Sequence, residues 1–101
     1  MAQLTLLWTD RAKALLRDIL DFHACENREA ARSLARRVFQ GTDGLQIFPS
    51  SGRMLPEFDA LPFRELIVPP CRVIYLVQET RIVIVTVIRS ERLLRPELLE
   101  H

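Results

Sequence analysis

Arginine is the residue type that this sequence offers most readily for chemistry. Of its fourteen basic residues, thirteen are arginine and only Lys13 is lysine. A guanidinium keeps its charge and forms paired hydrogen bonds to carboxylates or phosphates, so this composition favours specific anion contacts over diffuse attraction. A GC-rich coding sequence would produce the same excess without any function. The formal net charge of +1 excludes a protein that binds polyanions through bulk positive charge.

Groups that could transfer protons are scarce. Cleavage of an RNA phosphodiester needs a general base, a proton donor and cations for the phosphate, and arginine is a poor proton shuttle. The one internal histidine, His23, falls on the apolar face of a predicted helix, and the one tyrosine, Tyr75, falls in a predicted strand. Packing is the favoured role of both. Glu65 and Glu91 lie near arginines, where a solvated ion pair is the simpler interpretation.

Metal sites, cofactors and membranes find no support in the residue pattern. Cys25 and Cys71 are far apart and match no ligand spacing, so we expect neither a metal site nor a disulfide scaffold, and no motif indicates a cofactor. No apolar run approaches the roughly 20 residues of a membrane span. Residues 1–3 carry no basic region before an apolar stretch, which predicts a cytoplasmic protein without a membrane partner.

The first half of the chain predicts one strand and two helices. Residues 4–8 are short and apolar, which is typical of a strand. Thr9 or Asp10 can cap a helix that ends near 25–27, and Asn27 can cap a second helix whose C-terminal stop is predicted at Gly41. Because the link between them is short, the helices should pack as an antiparallel hairpin.

The second half predicts a loop and three strands. Glycine and proline interrupt residues 42–62 too often for a regular element, whereas 63–68, 72–77 and 81–88 are β-rich. Their short connections require antiparallel pairing. The expected fold is α+β: an N-terminal strand, a helix hairpin on one face, three antiparallel strands that complete a four-stranded sheet, and a short C-terminal helix near Pro96. Residues 1–98 form a single domain, and 99–101 are interpreted as a possible vector-derived tail.

Several short segments carry a resemblance to a known family. Phe63 to Val68, Arg72 to Tyr75, Ile84 to Ile88 and the pair Gly52-Arg53 resemble the RelE/ParE superfamily of toxins, nearer to its ParE-like branch. The resemblance implies a type II toxin neutralised by a cognate antitoxin, acting either on DNA gyrase or, with the ribosome, on mRNA. Two positions depart from the family: Cys71 replaces an aromatic residue and Arg89 replaces a histidine.

The scarcity of proton-transfer groups favours the first branch, a ParE-like toxin that inhibits DNA gyrase and thereby DNA replication. Such a toxin needs a binding surface, for which the candidates are the arginines of the sheet and C-terminal segment: Arg64, Arg72, Arg81, Arg89, Arg92 and Arg95. The alternative is a RelE-like ribosome-dependent endoribonuclease, in which Arg53, Arg72 and Arg89 with Glu91 or Tyr75 would meet around one phosphate. Strand alternation places Arg72 and Tyr75 on opposite faces. A second alternative is an inactive binding module with the toxin fold.

The last strand and the C-terminal segment are unusually apolar. This excess predicts a surface for an amphipathic antitoxin segment, formed by Val85, Val87, Leu93, Leu94 and Leu98. We therefore expect a toxin-antitoxin hetero-oligomer. The competing interpretation is that the C-terminal segment folds back and buries this surface within the same chain.

Overall fold

Two helices and five strands follow one another in the predicted α+β order. The computed structural model describes residues 4–92 and 94–100. Its elements are β1 (Thr5–Trp8), α1 (Asp10–Glu26), α2 (Arg28–Leu45), β2 (Arg53–Met54), β3 (Phe63–Val68), β4 (Cys71–Val77), β5 (Arg81–Arg89) and a terminal 3-10 turn (Pro96–Leu99). The predicted short C-terminal helix is therefore a single 3-10 turn with proline at its first position.

Local capping sets the start of both helices. The Thr9 side chain accepts a hydrogen bond from the Ala12 amide at 3.1 Å, and the Asn27 side chain accepts one from the Ala30 amide at 3.1 Å. Of the two candidate caps for α1, Thr9 is the one that forms the bond, and the predicted cap at Asn27 is confirmed. Asn27 also ends α1, because its own amide donates to the His23 carbonyl. Within the described part of the chain, neither helix combines the length and apolar composition that crossing a membrane requires.

The predicted helix stop at Gly41 is wrong, because α2 continues to Leu45. Gly41 instead lies where α2 crosses β3: a Cβ atom there would lie 2.8 Å from Leu66 Cδ2. Gly41 permits close packing of the helix on the sheet. A glycine at this position is therefore explained by the close approach of α2 to β3, and not by the end of a helix.

The sheet has five strands in the order β1-β5-β4-β3-β2, one more than expected. The added strand, β2, lies in the segment predicted to be a loop and pairs Arg53 with Glu65 and Met54 with Arg64. Two residues are too few for a period-two pattern to reveal. The pairings β3 with β4 and β4 with β5 are antiparallel, as predicted, while β1 runs parallel to β5.

Both faces of the sheet are covered by the same chain. On one face α1 and α2 pack on a core that includes Val73, Tyr75 and Ile84. On the other face the loop before β3 and the C-terminal segment pack on Val83 and Val85. The structure thus follows the interpretation in which the C-terminal segment folds back over β5.

Candidate functional site

Three of the predicted arginines converge on one groove between α1, the end of β5 and the C-terminal segment. We call it the arginine groove; it has a volume of about 670 Å³ and is lined by Leu15, Asp18, Ile19, Phe22, His23, Val87, Ile88, Arg89, Arg92, Arg95 and Leu98. Its position follows from β1 leading directly into α1, which brings that helix alongside β5.

The groove combines an apolar floor with a cationic rim. The Arg89 guanidinium lies 5.2 Å from the Phe22 ring centroid and pairs with Glu91 at 2.7 Å from Nε to Oε1. Arg92 and Arg95 are exposed, and within residues 4–92 and 94–100 their guanidinium groups have no hydrogen-bond or ion-pair partner. Two guanidinium groups are therefore free to meet carboxylates of a ligand that also carries apolar side chains.

Phe22 is the groove residue that sequence reasoning missed. It is 54 % exposed, and its ring packs edge-on against His23 with 5.6 Å between centroids. The available signal was an aromatic residue at the edge of the apolar stripe of α1, seven residues after Leu15, since aromatic residues are enriched at binding surfaces. His23 is half-buried at the edge of the groove.

Arg72 does not belong to a free surface, because it is buried and fully engaged. Its guanidinium donates to both Glu57 carboxylate oxygens at 2.7 and 2.8 Å, and its Nε donates to Glu65 at 2.6 Å. Glu65 also accepts from Arg53 Nε at 2.5 Å, and Glu57 accepts from the Leu94 amide at 3.2 Å. These residues form a four-residue ion network that joins β2, β3, β4 and the C-terminal segment.

The network changes the acidity of its members. The hydrogen bonds from Arg72 lower the pKa of Glu57 from 4.5 to about 2. The hydrogen bond to Glu57 correspondingly raises the pKa of Arg72. We interpret this arrangement as structural, because each carboxylate is paired with arginine and the loss of one partner would leave a buried charge uncompensated.

Tyr75 lies on the opposite face of β4 from Arg72, as strand alternation predicted. Its hydroxyl donates to the Pro49 carbonyl at 2.8 Å and accepts from the Gly52 amide at 2.9 Å. Burial raises the pKa of the Tyr75 phenol. Of the residues in the ribonuclease hypothesis, Arg53 and Arg72 come together on Glu65. Tyr75 lies on the other face of the sheet, and Arg89 pairs with Glu91 at the arginine groove, so the full set does not meet around one point.

The other arginines of the predicted target-binding set, Arg64 and Arg81, lie away from the arginine groove. Arg64 donates to the Gly52 carbonyl at 2.8 Å, which anchors the loop before β2. Arg81 is exposed at the start of β5, the end of that strand remote from Arg89, and bonds to Gln78. Only Arg89, Arg92 and Arg95 of the predicted target-binding set share one surface.

Some residues predicted to bind an antitoxin are buried in the core, and others line the arginine groove. Val85 and Leu94 are buried within the core of the face opposite the helices, so they present no surface in this conformation. Val87 is buried but contributes to the floor of the arginine groove, and Leu98 is half-buried at its wall. Leu93 lies outside the described residues.

Metal-ligating side chains do not gather in the described ranges 4–92 and 94–100, where no three of His, Cys, Asp or Glu form a potential metal cluster. Cys25 is exposed and Cys71 is buried, and both are free thiols.

Comparisons with known proteins agree with this architecture. A family profile described as the ParE toxin of the type II toxin-antitoxin system, parDE, matches residues 6–94. A solved structure described as the chromosomal ParDE TA system from P. aeruginosa matches with a TM-score of 0.71 and 24 % identity, covering 88 % of this chain and 98 % of that chain. No curated protein matches the chain. Because the family profile spans nearly the whole sequence and the fold agrees with it, the chain belongs to the ParE toxin family of type II toxin-antitoxin systems.

Proposed function

We propose that this toxin inhibits DNA gyrase and thereby DNA replication, and that it binds its target through the arginine groove. The observation that carries the proposal is the pair Arg92 and Arg95, whose exposed guanidinium groups rim an apolar floor. A surface of this kind suits a protein target with acidic and apolar side chains. It requires no chemical step by the toxin.

We also propose that an antitoxin neutralises the toxin in a hetero-oligomeric complex, as membership of a type II system implies. Of the predicted antitoxin-binding residues, Val87 and Leu98 line the arginine groove, where an antitoxin segment could reach them. An antitoxin that covers the groove would exclude the target by occupying the same residues.

The ribonuclease alternative receives less support. The Tyr75 hydroxyl is held by two backbone groups, and the Arg72 guanidinium is held by two carboxylates. Both polar groups are thus already engaged within the chain, on opposite faces of the sheet.

The first experiment is induction of the chain alone in a bacterial host, with cell length, the DNA-damage response and the rate of protein synthesis recorded together. Gyrase inhibition predicts filamentation and a DNA-damage response while translation continues. Prompt arrest of translation with cleaved mRNA would overturn the proposal in favour of the ribonuclease. Normal growth with folded protein present would indicate an inactive binding module.

The second experiment tests the groove with purified gyrase in a supercoiling assay. Replacement of both arginines, Arg92→Glu with Arg95→Glu, should weaken inhibition by about tenfold or more, which corresponds to about 1.4 kcal/mol of lost binding. The control is Arg32→Glu, which reverses one exposed charge on α2 and should leave inhibition within about twofold. Equal inhibition by all three proteins would place the target surface elsewhere.

A further inference from the structure

Strand β1 forms one outer edge of the sheet, and among residues 4–92 and 94–100 no further strand pairs with it. All four of its residues, Thr5–Trp8, are uncharged, and Leu7 is 42 % exposed. The opposite edge is β2, which is only two residues long and carries Arg53. Natural proteins blunt sheet edges with short strands and charges, and an uncharged open edge is a template for pairing with another strand.

The backbone groups available for such pairing belong to Leu6 and Trp8. The Thr5 amide donates to the Thr80 carbonyl at 3.0 Å and the Thr9 amide donates to the Ile84 carbonyl at 3.1 Å, so odd-numbered residues face β5. Successive residues alternate in direction, which turns the amides and carbonyls of Leu6 and Trp8 outward. Within the described ranges, no hydrogen-bond partner meets these outward groups.

Exposed apolar side chains flank both ends of this edge. At its C-terminal end, Phe39 is 47 % exposed and packs against Trp8 with 5.8 Å between ring centroids. At its N-terminal end, Gln46 Nε2 donates to the Leu4 carbonyl at 2.9 Å, which brings the end of α2 beside the strand. Phe48, two residues further along the chain, is 67 % exposed. Each end therefore offers unburied apolar surface.

We propose that the occupant of this edge is a second copy of this chain, joined by antiparallel pairing of the two β1 strands about a two-fold axis. A two-fold axis places the N-terminal end of one strand beside the C-terminal end of the other, so the end of α2 in each copy lies towards the Trp8–Phe39 pair of its partner copy. The result is one continuous sheet across two copies.

The direction of the backbone groups selects a register. Leu6 of one copy pairs with Trp8 of the other and exchanges both hydrogen bonds, and the same pair recurs across the axis. The Leu7 side chains then face each other at the centre, in the pair type where side chains approach most closely. This register accounts for the exposure of Leu7, which lies on the face away from the helices, and it leaves no charged residue of β1 in the interface.

The register is tested by disulfide trapping in a Cys25→Ser background, which removes the one exposed thiol and leaves buried Cys71 in place. Leu7→Cys should yield a covalent dimer on mild oxidation, because residue 7 of one copy lies opposite residue 7 of the other copy. Thr5→Cys should not, because Thr5 faces Thr9 across the axis. Trapping by Thr5→Cys but not Leu7→Cys, or by neither, would overturn the proposal.

The association is tested independently by light scattering after size exclusion. The unmodified chain should show a concentration-dependent mass approaching twice the 11.7 kDa of one chain. Leu7→Asp should lower the dimer population at least tenfold, whereas Ile67→Asp, at a similarly exposed residue (44 %) on β3, should not. A monomer at every accessible concentration, or equal loss of dimer in both variants, contradicts the proposal. Neither outcome depends on the identity of the toxin's target.

Discussion

At the scale of single residues, the neighbouring carboxylates determine the different roles of Arg72 and Arg89. Arg72 meets two carboxylates from separate parts of the chain and becomes a buried structural residue. Arg89 meets only Glu91, in an exposed pair, and keeps contact with the arginine groove. A buried bidentate pair loses far more free energy on truncation than an exposed one.

Glu57→Gln should therefore reduce stability in a pH-dependent manner. The pKa of Glu57 is lowered from 4.5 to about 2, so its carboxylate should contribute roughly 1 to 2 kcal/mol to the free energy of unfolding at neutral pH, once solvent screening of this partly exposed group is included. A lowered pKa makes this contribution full above about pH 5 and progressively lost as the pH falls towards 2. Urea denaturation at several pH values should show a lower stability of the variant at pH 7 and a weaker decline between pH 5 and 2.

The control for this prediction is Glu91→Gln, which removes the acid of the exposed pair with Arg89. Its effect on the free energy of unfolding should stay within about 1 kcal/mol. Parallel pH profiles for the unmodified chain and Glu57→Gln would show that the Glu57 carboxylate does not contribute in this way.

At the scale of elements, helix α2 is shaped by its packing against the sheet as much as by its own propensity. Two glycines lie in its last turns and neither ends it. At Gly41 a methyl group would meet the Leu66 side chain, whereas at Gly44 it would meet nothing within 4 Å. Alanine is better than glycine in a helix by about 1 kcal/mol, unless a contact offsets the gain.

Gly44→Ala is accordingly expected to stabilise the protein by about 0.5 to 1 kcal/mol, since it adds helix propensity without a clash. Gly41→Ala should gain less or lose stability, because Leu66 must move. Urea midpoints of both variants and the unmodified chain provide the measurement. If Gly41→Ala stabilised the protein as much as Gly44→Ala, the close approach of α2 to β3 would be wrong.

At the scale of the whole molecule, the C-terminal segment completes the core of the face opposite the helices. Leu94 and Leu99 are buried there, Glu57 accepts a hydrogen bond from the Leu94 amide, and the Arg11 guanidinium donates to the Glu97 carbonyl at 2.9 Å. Leu99 thus packs with the rest of the chain. The assignment of 99–101 to a vector-derived tail stays a prediction, and residue 101 lies outside the described residues.

Leu94→Ala should lower the free energy of unfolding by about 2 to 4 kcal/mol, because it removes a buried side chain that closes the core. Leu61→Ala, at a leucine that is 38 % exposed, should cost less than about 1 kcal/mol. Thermal and urea unfolding of both variants and the unmodified chain would measure these losses in the free energy of unfolding. Similar losses in the two variants would mean that the C-terminal segment is not part of the cooperative core.

The sequence alone determined the features that depend on local signals. The caps at Thr9 and Asn27, the three β-rich runs of the second half and the opposite orientation of Arg72 and Tyr75 follow from side-chain hydrogen bonding and from period-two alternation. Together with the short family-like segments, they were sufficient to predict the fold class and the RelE/ParE superfamily.

Tertiary structure alone decided which charges meet. Arg89, Arg92 and Arg95 converge because α1 lies alongside β5, while Glu57 reaches Arg72 from a loop 15 residues away in sequence. The role of Gly41, the two-residue strand β2 and the burial of Val85 also depend on which segment lies opposite each position. Spacing along a chain reports neighbours on one element, whereas ion pairs and sheet faces depend on distances between elements, which no local pattern contains.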